Sequence, residues 1–215
     1  MKALVTGFDP FGGDEVNPSS LAVGKLKKRI AGIAVHTAEL PTSYAKSAGV
    51  LRAAIDKVRP DLVLCVGQAG GRSELCLERV GINVQDARIR DNDGKQPIDI
   101  RIKDDGPPAY FSSLPIKAMA TAMHGAGIPA AVSNTAGTYV CNHIMYQVLY
   151  MIDHEFPGKK GGFVHVPYLP SQVLDKPNQP SLGLDELVTA LTAGLAAIVE
   201  FADKPDLAIV GGALH

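Results

Sequence analysis

Cysteine is scarce in this chain, with only Cys65, Cys76 and Cys141 among 215 residues and no paired spacing between them. A sparse, odd set excludes a disulfide framework and points to reduced thiols, hence to the cytoplasm. The chain has no C-x-x-C pair, and His154-Glu155 does not open an H-E-x-x-H motif. No structural or catalytic zinc site is therefore expected, and nothing implies a metal or organic cofactor. Net charge is also lacking: the formal value is −1, which gives no electrostatic case for nucleic acid or an anionic membrane as the main partner. No apolar run reaches membrane-spanning length. The opening Met1-Lys2-Ala3-Leu4-Val5-Thr6-Gly7 is too short an apolar run for a signal peptide and reads as a first strand. Tryptophan is absent too, which by itself excludes nothing. No internal repeat, coiled coil or low-complexity segment is present.

What is there is ordinary for a globular protein: 46% hydrophobic and 20% charged residues, in a length that suits one domain over 1–215 with a full core. Short apolar runs alternate with helical periodicity, the pattern of an α/β sandwich. Strands are expected at 3–6, 33–40, 62–67, 80–84, 130–132 and 162–166. The first helix is expected to start from a Ser19 or Ser20 cap and run to about Arg29. A second starts from Ser43 with Ala48, Leu51, Ile55 and Val58 on one face, and a third covers 116–124. A fourth carries Cys141 with Ile144 and Val148 inward, and the last begins near Asp185 with Leu187, Leu191, Leu195 and Ile198 at helical spacing. Two stretches resist this scheme. Residues 86–108 are polar and rich in Asp, Gly and Pro, and predict a projecting hairpin with Ile98, Ile100 and Ile102 alternating. Residues 168–183 carry three prolines and predict a long surface loop, of the kind that serves as a lid or assembly surface.

The densest chemical signal is Ser133-Asn134-Thr135-Ala136-Gly137-Thr138-Tyr139-Val140-Cys141-Asn142, which leaves a short apolar run and delivers a cysteine to a helix start. Unpaired N–H groups and a positive dipole end favour a thiolate there and offer a place for an oxyanion. Further on, Gly161-Gly162-Phe163-Val164-His165-Val166-Pro167 puts a histidine at the end of an apolar run, where a strand end aims an imidazole at the sulfur. A separated Cys and His is the pattern of a cysteine hydrolase. Two glycine loops, Gly7-Phe8-Asp9-Pro10-Phe11-Gly12-Gly13 and Gly67-Gln68-Ala69-Gly70-Gly71-Arg72, would lie with His165 beyond the carboxyl ends of parallel strands, where open sheets bind ligands. Neither loop matches a dinucleotide or P-loop fingerprint. Phe8 and Phe11 suit either a flat apolar ligand or a plug in the core beneath the turn. Glu78 is open between a surface charge beside Arg79 and the acid that orients His165. Cys65, inside an apolar strand, reads as buried and inert, and Cys76 as loop-borne. His36, His124, His143, His154 and His215 have no partner spacing, and His143 should point away from Cys141.

Taken in order, these motifs, with Asn17-Pro18, Glu78-Arg79-Val80, Asp86-Ala87-Arg88-Ile89 and His165-Val166-Pro167, make the chain resemble the pyroglutamyl-peptidase I (pyrrolidone-carboxylate peptidase) family over nearly its full length. The resemblance implies a three-layer α/β/α sandwich with a mixed, mostly parallel central sheet. It implies a catalytic Cys141, His165 and Glu78, pocket walls from Phe8 and Phe11, Asn17 shaping that pocket, and Gln68 and Val140 lining it. Arg88 would sit near the scissile carbonyl. It also implies peptides with an N-terminal pyroglutamyl residue as substrate and a homotetrameric assembly. The chain departs from the family pattern at Cys76, where Ser or Thr is usual, at Gly81, where Ala is usual, and at Arg90, where Pro is usual. A neutral lactam ring with one N–H and one C=O fits aromatic faces and backbone hydrogen bonds from a glycine loop. Two other readings stand beside this one: a cysteine amidase acting on another small lactam, and a nucleoside- or phosphate-binding protein in which Cys141 is merely buried.

Overall fold

The first strand shows why the chain forms layers. In the computed structural model, which describes residues 1–212, β1 (Lys2–Phe8) turns Ala3 and Val5 to one side and Leu4 and Phe8 to the other. A strand apolar on both faces is stable only when helices cover both. After it, in chain order, come α1 (Pro18–Gly24), β2 (Arg29–Ile30), β3 (Ile33–Leu40), α2 (Ser47–Val58), β4 (Leu62–Gln68), β5 (Leu75–Glu78), β6 (Val80–Ile82) and β7 (Ala109–Phe111). Then follow α3 (Ile116–Gly125), β8 (Ala130–Ser133), α4 (Val140–His154), β9 (Lys160–Val166) and α5 (Leu184–Glu200).

The central sheet is a mixed, mostly parallel seven-stranded sheet in the order β2-β3-β1-β4-β9-β5-β8. β3, β1, β4 and β9 run parallel, whereas β5 runs antiparallel to β9 and parallel to β8. One face buries Val5, Leu64, Val164 and Leu77 under α1, α3 and α5. The other buries Leu4, Val63, Cys65 and Phe163 under α2 and α4. β6 and β7 form a separate two-stranded antiparallel ribbon.

Several expectations change here. The strand expected at 80–84 belongs to that ribbon, and the sheet strand before it, β5, went unread because its three apolar residues are a short run flanked by Glu74 and by Glu78-Arg79. Cys76 therefore lies buried in a strand and not in a loop. The first helix starts from Asn17, whose Oδ1 accepts from the Ser19 N–H at 3.0 Å, and it stops at Gly24, well short of Arg29. Residues 86–108 do not form a hairpin with alternating isoleucines. They are irregular, tied by a bridge between Gln85 and Ile100 and by backbone bonds from the Ala87 N–H to Pro97 O and the Asp91 N–H to Lys95 O, and leave Ile98 and Ile100 exposed. Residues 168–183 are a loop as expected, with one short 3-10 turn at Pro170–Gln172. His215 lies outside the described residues.

At the end of β1, a Cβ on Gly7 would sit 2.6 Å from the Ser20 Cα and backbone N, so α1 seats directly on a bare backbone. Backbone cannot yield as a side chain does. Gly7→Ala should therefore cost about 3 kcal/mol in urea unfolding. Gly24→Ala, with nothing within 4 Å of the added Cβ, should be neutral or slightly stabilising.

Candidate active site

Register places the chemistry. In the parallel pairing of β4 with β9, Gly67 is opposite His165 and Cys65 is opposite Phe163. Residues paired this way point to the same face, and neighbouring strands are about 4.8 Å apart. That face lies under α4, whose Cys141 Sγ would be 2.8 Å from a Cβ on Gly67. The missing side chain at Gly67 is thus the space the sulfur fills, one strand over from His165 at the same level of the sheet. Cys141 is the second residue of α4, before the first intrahelical bond, which His143 N–H donates to Tyr139 O at 3.1 Å. Its own N–H belongs to the unpaired set at the helix start.

β5 then brings the acid. Its antiparallel register with β9 sets Cys76 opposite His165 and Glu78 opposite Phe163, so Glu78 reaches the imidazole diagonally along the same face. The His165 Nδ1 and Glu78 Oε1 are 2.7 Å apart, with Glu78 wholly buried and His165 nearly so. A donor at Nδ1 leaves Nε2 for the sulfur. The guanidinium of Arg72 donates to the same Glu78 oxygen at 2.7 Å.

The thiol differs from expectation in one respect. Cys141 is half-buried as a residue, yet its sulfur is enclosed tightly enough that burial pushes the thiol up to about 12; Glu78's charge adds to this and Arg72 opposes it. The helix start alone does not leave a free thiolate, so a cation on the imidazole is required to hold one. Cys65 is pushed up to about 12 by burial as well, and fits the inert role read for it. His143 points away from the sulfur as expected: its Nδ1 meets Gln85 Nε2 at 2.9 Å, and burial lowers it to about 4, keeping it neutral.

Two cavities meet at Cys141. The larger is a cleft of about 960 Å³ whose wall includes Phe11, Gln68, Asp86, Arg88, Tyr139, Cys141, His165 and Tyr168. The smaller, about 10 Å³, is enclosed by Phe8, Phe11, Asn17, Thr42, Gln68, Tyr139, Val140 and Cys141. Within it the two phenylalanines differ. Phe8 is 2% exposed and packs on Phe163 with centroids 6.3 Å apart, so it is a core residue that also shows one edge to the cavity. Phe11 is half-buried and leans on Tyr139 at 6.0 Å. Asn17 spends its side chain on structure, since its Nδ2 donates to Asp9 O at 2.9 Å while its Oδ1 caps α1. Val140 is fully buried at the start of α4.

Gln68 donates to Asp14 Oδ2 at 3.1 Å and accepts from Gln172 Nε2 at 3.1 Å. Lys176 closes this network on Asp14 at 2.8 Å and lies over the Tyr168 ring, tying the proline-rich loop to the first glycine loop. Arg88 is exposed on the cleft wall and makes no ion pair among the described residues. Sequence reasoning quoted Tyr139 and Arg72 inside motifs without giving either a role, and it missed Thr42, Asp14, Gln172 and Lys176 altogether. Only long-range contacts put those residues at the cleft, so no local spacing marks them.

With this geometry described, the likeness to known proteins becomes specific. The pyroglutamyl peptidase family model matches residues 1–201. The pyrrolidone-carboxylate peptidase of Streptococcus pyogenes is 55% identical over 215 residues, the whole of both chains. The crystal structure of pyroglutamyl peptidase I from Bacillus amyloliquefaciens matches with a TM-score of 0.92 at 45% identity, covering 97% of this chain and 99% of that one. The pyrrolidone carboxyl peptidase of Thermococcus litoralis matches with a TM-score of 0.94 at 36% identity and the same coverage. The protein is a hydrolase of the peptidase class on an α/β sandwich. More particularly, the chain belongs to the pyroglutamyl peptidase family.

The contact at Gly67 yields a test. An added Cβ would stand 2.8 Å from both Cys141 Sγ and Phe163 Cζ, so Gly67→Ala must displace the sulfur, the ring or both. Displacement of a reacting atom by about 1 Å costs on the order of a hundredfold in rate. Peptidase turnover of Gly67→Ala should fall on that scale while far-UV circular dichroism stays native. Full turnover would mean that the Phe163 ring yields and the sulfur keeps its place.

Proposed function

We propose that the protein removes an N-terminal pyroglutamyl residue from peptides, with Cys141 as nucleophile, His165 as proton carrier and Glu78 as the group that orients His165. The observation that carries this reading is the Glu78–His165 bond at 2.7 Å beside a sulfur seated on Gly67, at the mouth of an aromatic-walled cavity. The names of the relatives support the substrate. The thiol proton passes to His165, and the sulfur adds to the pyroglutamyl carbonyl carbon. The resulting oxyanion lies at the start of α4, where the Cys141 N–H is unpaired, with Arg88 on the adjoining wall. The C–N bond breaks as His165 returns the proton to the leaving amine. Water, deprotonated by the neutral imidazole, then cleaves the thioester and frees pyroglutamate.

The small cavity receives the lactam ring. At about 10 Å³ it has room for roughly one water, so the ring enters by moving a wall. Phe11 is the wall free to move, because Phe8 is locked in the core. The cleft takes the leaving peptide. We read residues 1–215 as one catalytic domain in a reducing, cytoplasmic setting, supported by three free cysteines; no helix among the described residues is long and apolar enough to cross a membrane. The homotetramer that the family resemblance implies would find apolar surface in the exposed Ile98, Ile100 and Phe111.

Release of a fluorogenic arylamine from its pyroglutamyl conjugate tests the reading. Cys141→Ser should lose nearly all turnover with the fold intact, and Cys76→Ser should keep it. Near wild-type turnover in Cys141→Ser would end the proposal. In His165→Ala the thiol loses the imidazole that takes its proton, while burial still disfavours the thiolate, so the pH dependence of its alkylation should move upward from that of the wild type. An alkylation profile that does not move would separate His165 from Cys141.

The two phenylalanines should fail differently. Phe11→Ala should lower kcat/KM about ten- to hundredfold, the worth of one aromatic contact, with little change in Tm. Phe8→Ala should cost about 3 to 5 kcal/mol of stability in addition. Equal cleavage of glutaminyl and pyroglutamyl arylamides would defeat the pocket assignment.

A further inference from the structure

Between β4 and β5 lies a guanidinium that the catalytic scheme above leaves unused. Arg72 is about half-buried and reaches three oxygens: Glu78 Oε1 at 2.7 Å, Thr135 O at 3.1 Å and Ser133 Oγ at 3.5 Å. The first of these is also the oxygen that meets His165 Nδ1 at 2.7 Å, while Glu78 Oε2 has no hydrogen-bond partner among the protein atoms. Ser133 ends β8, and Thr135 opens the segment leading to Cys141. One side chain therefore touches both the acid and the segment that delivers the nucleophile.

We propose that Arg72 is a positioning residue for the hydrolysis: it fixes the Glu78 carboxylate against His165 and anchors that carboxylate to the Ser133–Thr135 turn ahead of Cys141. This inference rests on the Cys141, His165 and Glu78 reading. A planar guanidinium carries five donors in a fixed fork and so spans three acceptors in separate directions; an ammonium on a flexible stem is a point charge that cannot. Glu78 has no solvent exposure, and a carboxylate so placed needs cationic partners to offset its removal from water. Arg72 and His165 are those partners, and they share one oxygen.

The arrangement also sets the electrostatics of the proton transfer. The groups facing the Cys141 sulfur are Glu78, Arg72, His165 and Cys65 from the sheet side, with Tyr44 and Tyr139 from the loop side. Arg72 itself faces Glu78 and Cys76, with Glu74 close by on the same turn. Without the guanidinium, Glu78's negative potential acts unopposed on both reacting groups. The thiol then holds its proton to higher pH. The acid limb of the pH profile of kcat/KM moves upward. A residue that served only the fold would lower the height of the profile and leave its limbs in place.

The experiment measures kcat/KM against pH on a pyroglutamyl arylamide for wild type, Arg72→Gln and Arg72→Lys, with the pH dependence of Cys141 alkylation by iodoacetamide read in parallel. For Arg72→Gln, peak kcat/KM should fall about ten- to hundredfold, as for loss of a charged hydrogen bond. The acid limb and the alkylation midpoint should rise by about one pH unit. Arg72→Lys keeps the charge but not the fork, so its limbs should stay at the wild-type positions while kcat falls. An acid limb that does not move in a folded Arg72→Gln would overturn the inference. Where Arg72→Gln does not fold, the double variant Glu78→Gln/Arg72→Gln, which leaves no unpaired buried charge, decides against Glu78→Gln alone: equal kcat/KM supports a role exerted through Glu78, and a further loss of tenfold or more refutes it. Failure of the underlying reading looks different, because an active Cys141→Ser would reveal it with Arg72 intact.

Discussion

The carboxylate of Glu78 has no contact with solvent, and the arrangement of the site follows from what it takes to keep such a group there. Removing an ion from water costs several kcal/mol even after relaxation, so partners must be within hydrogen-bonding reach. His165 and Arg72 both meet the same oxygen at 2.7 Å. One partner carries the imidazole that faces the sulfur, and the other ties the acid to the turn ahead of α4. The buried charge thereby links β5, β9, the β4–β5 turn and the Ser133–Thr135 turn at one point.

Strand direction makes that convergence possible. The antiparallel register of β5 with β9 puts Cys76 opposite His165 and Glu78 two residues along the same face, opposite Phe163. On the other side of β9, the parallel register with β4 puts Gly67 beside His165, and the sulfur takes the space a Cβ would occupy. Alternation along each strand sends Leu64, Val66, Val164 and Leu77 to the opposite face under α1, α3 and α5. A single sheet thus uses one surface as a core and the neighbouring surface as core and site together.

The cleft is held by polar contacts, in contrast to the packed sheet below it. Gln68, Gln172, Asp14 and Lys176 form a hydrogen-bonded chain across three loops. Phe11 leans on Tyr139 over the small cavity, and Phe8 is fastened beneath it by Phe163.

Much of the architecture was legible in the sequence because local pattern suffices where burial is one- or two-sided. The apolar runs of β1, β3, β4 and β9 and the helical spacing of α4 and α5 marked those elements, and glycine-rich stretches marked the loops beyond the strands. Cys141 at a helix start and His165 at a strand end were likewise readable from their neighbours. β5 was not: four residues ending in a glutamate look like a loop until the sheet on either side supplies their hydrogen bonds, which is why Cys76 was misplaced. The height of Glu78 relative to His165, the role open to Arg72, the difference between Phe8 and Phe11 and the tight enclosure of the Cys141 sulfur were all decided by tertiary structure. Each depends on strand register or on contacts between residues far apart in the chain, and local spacing carries no information about either.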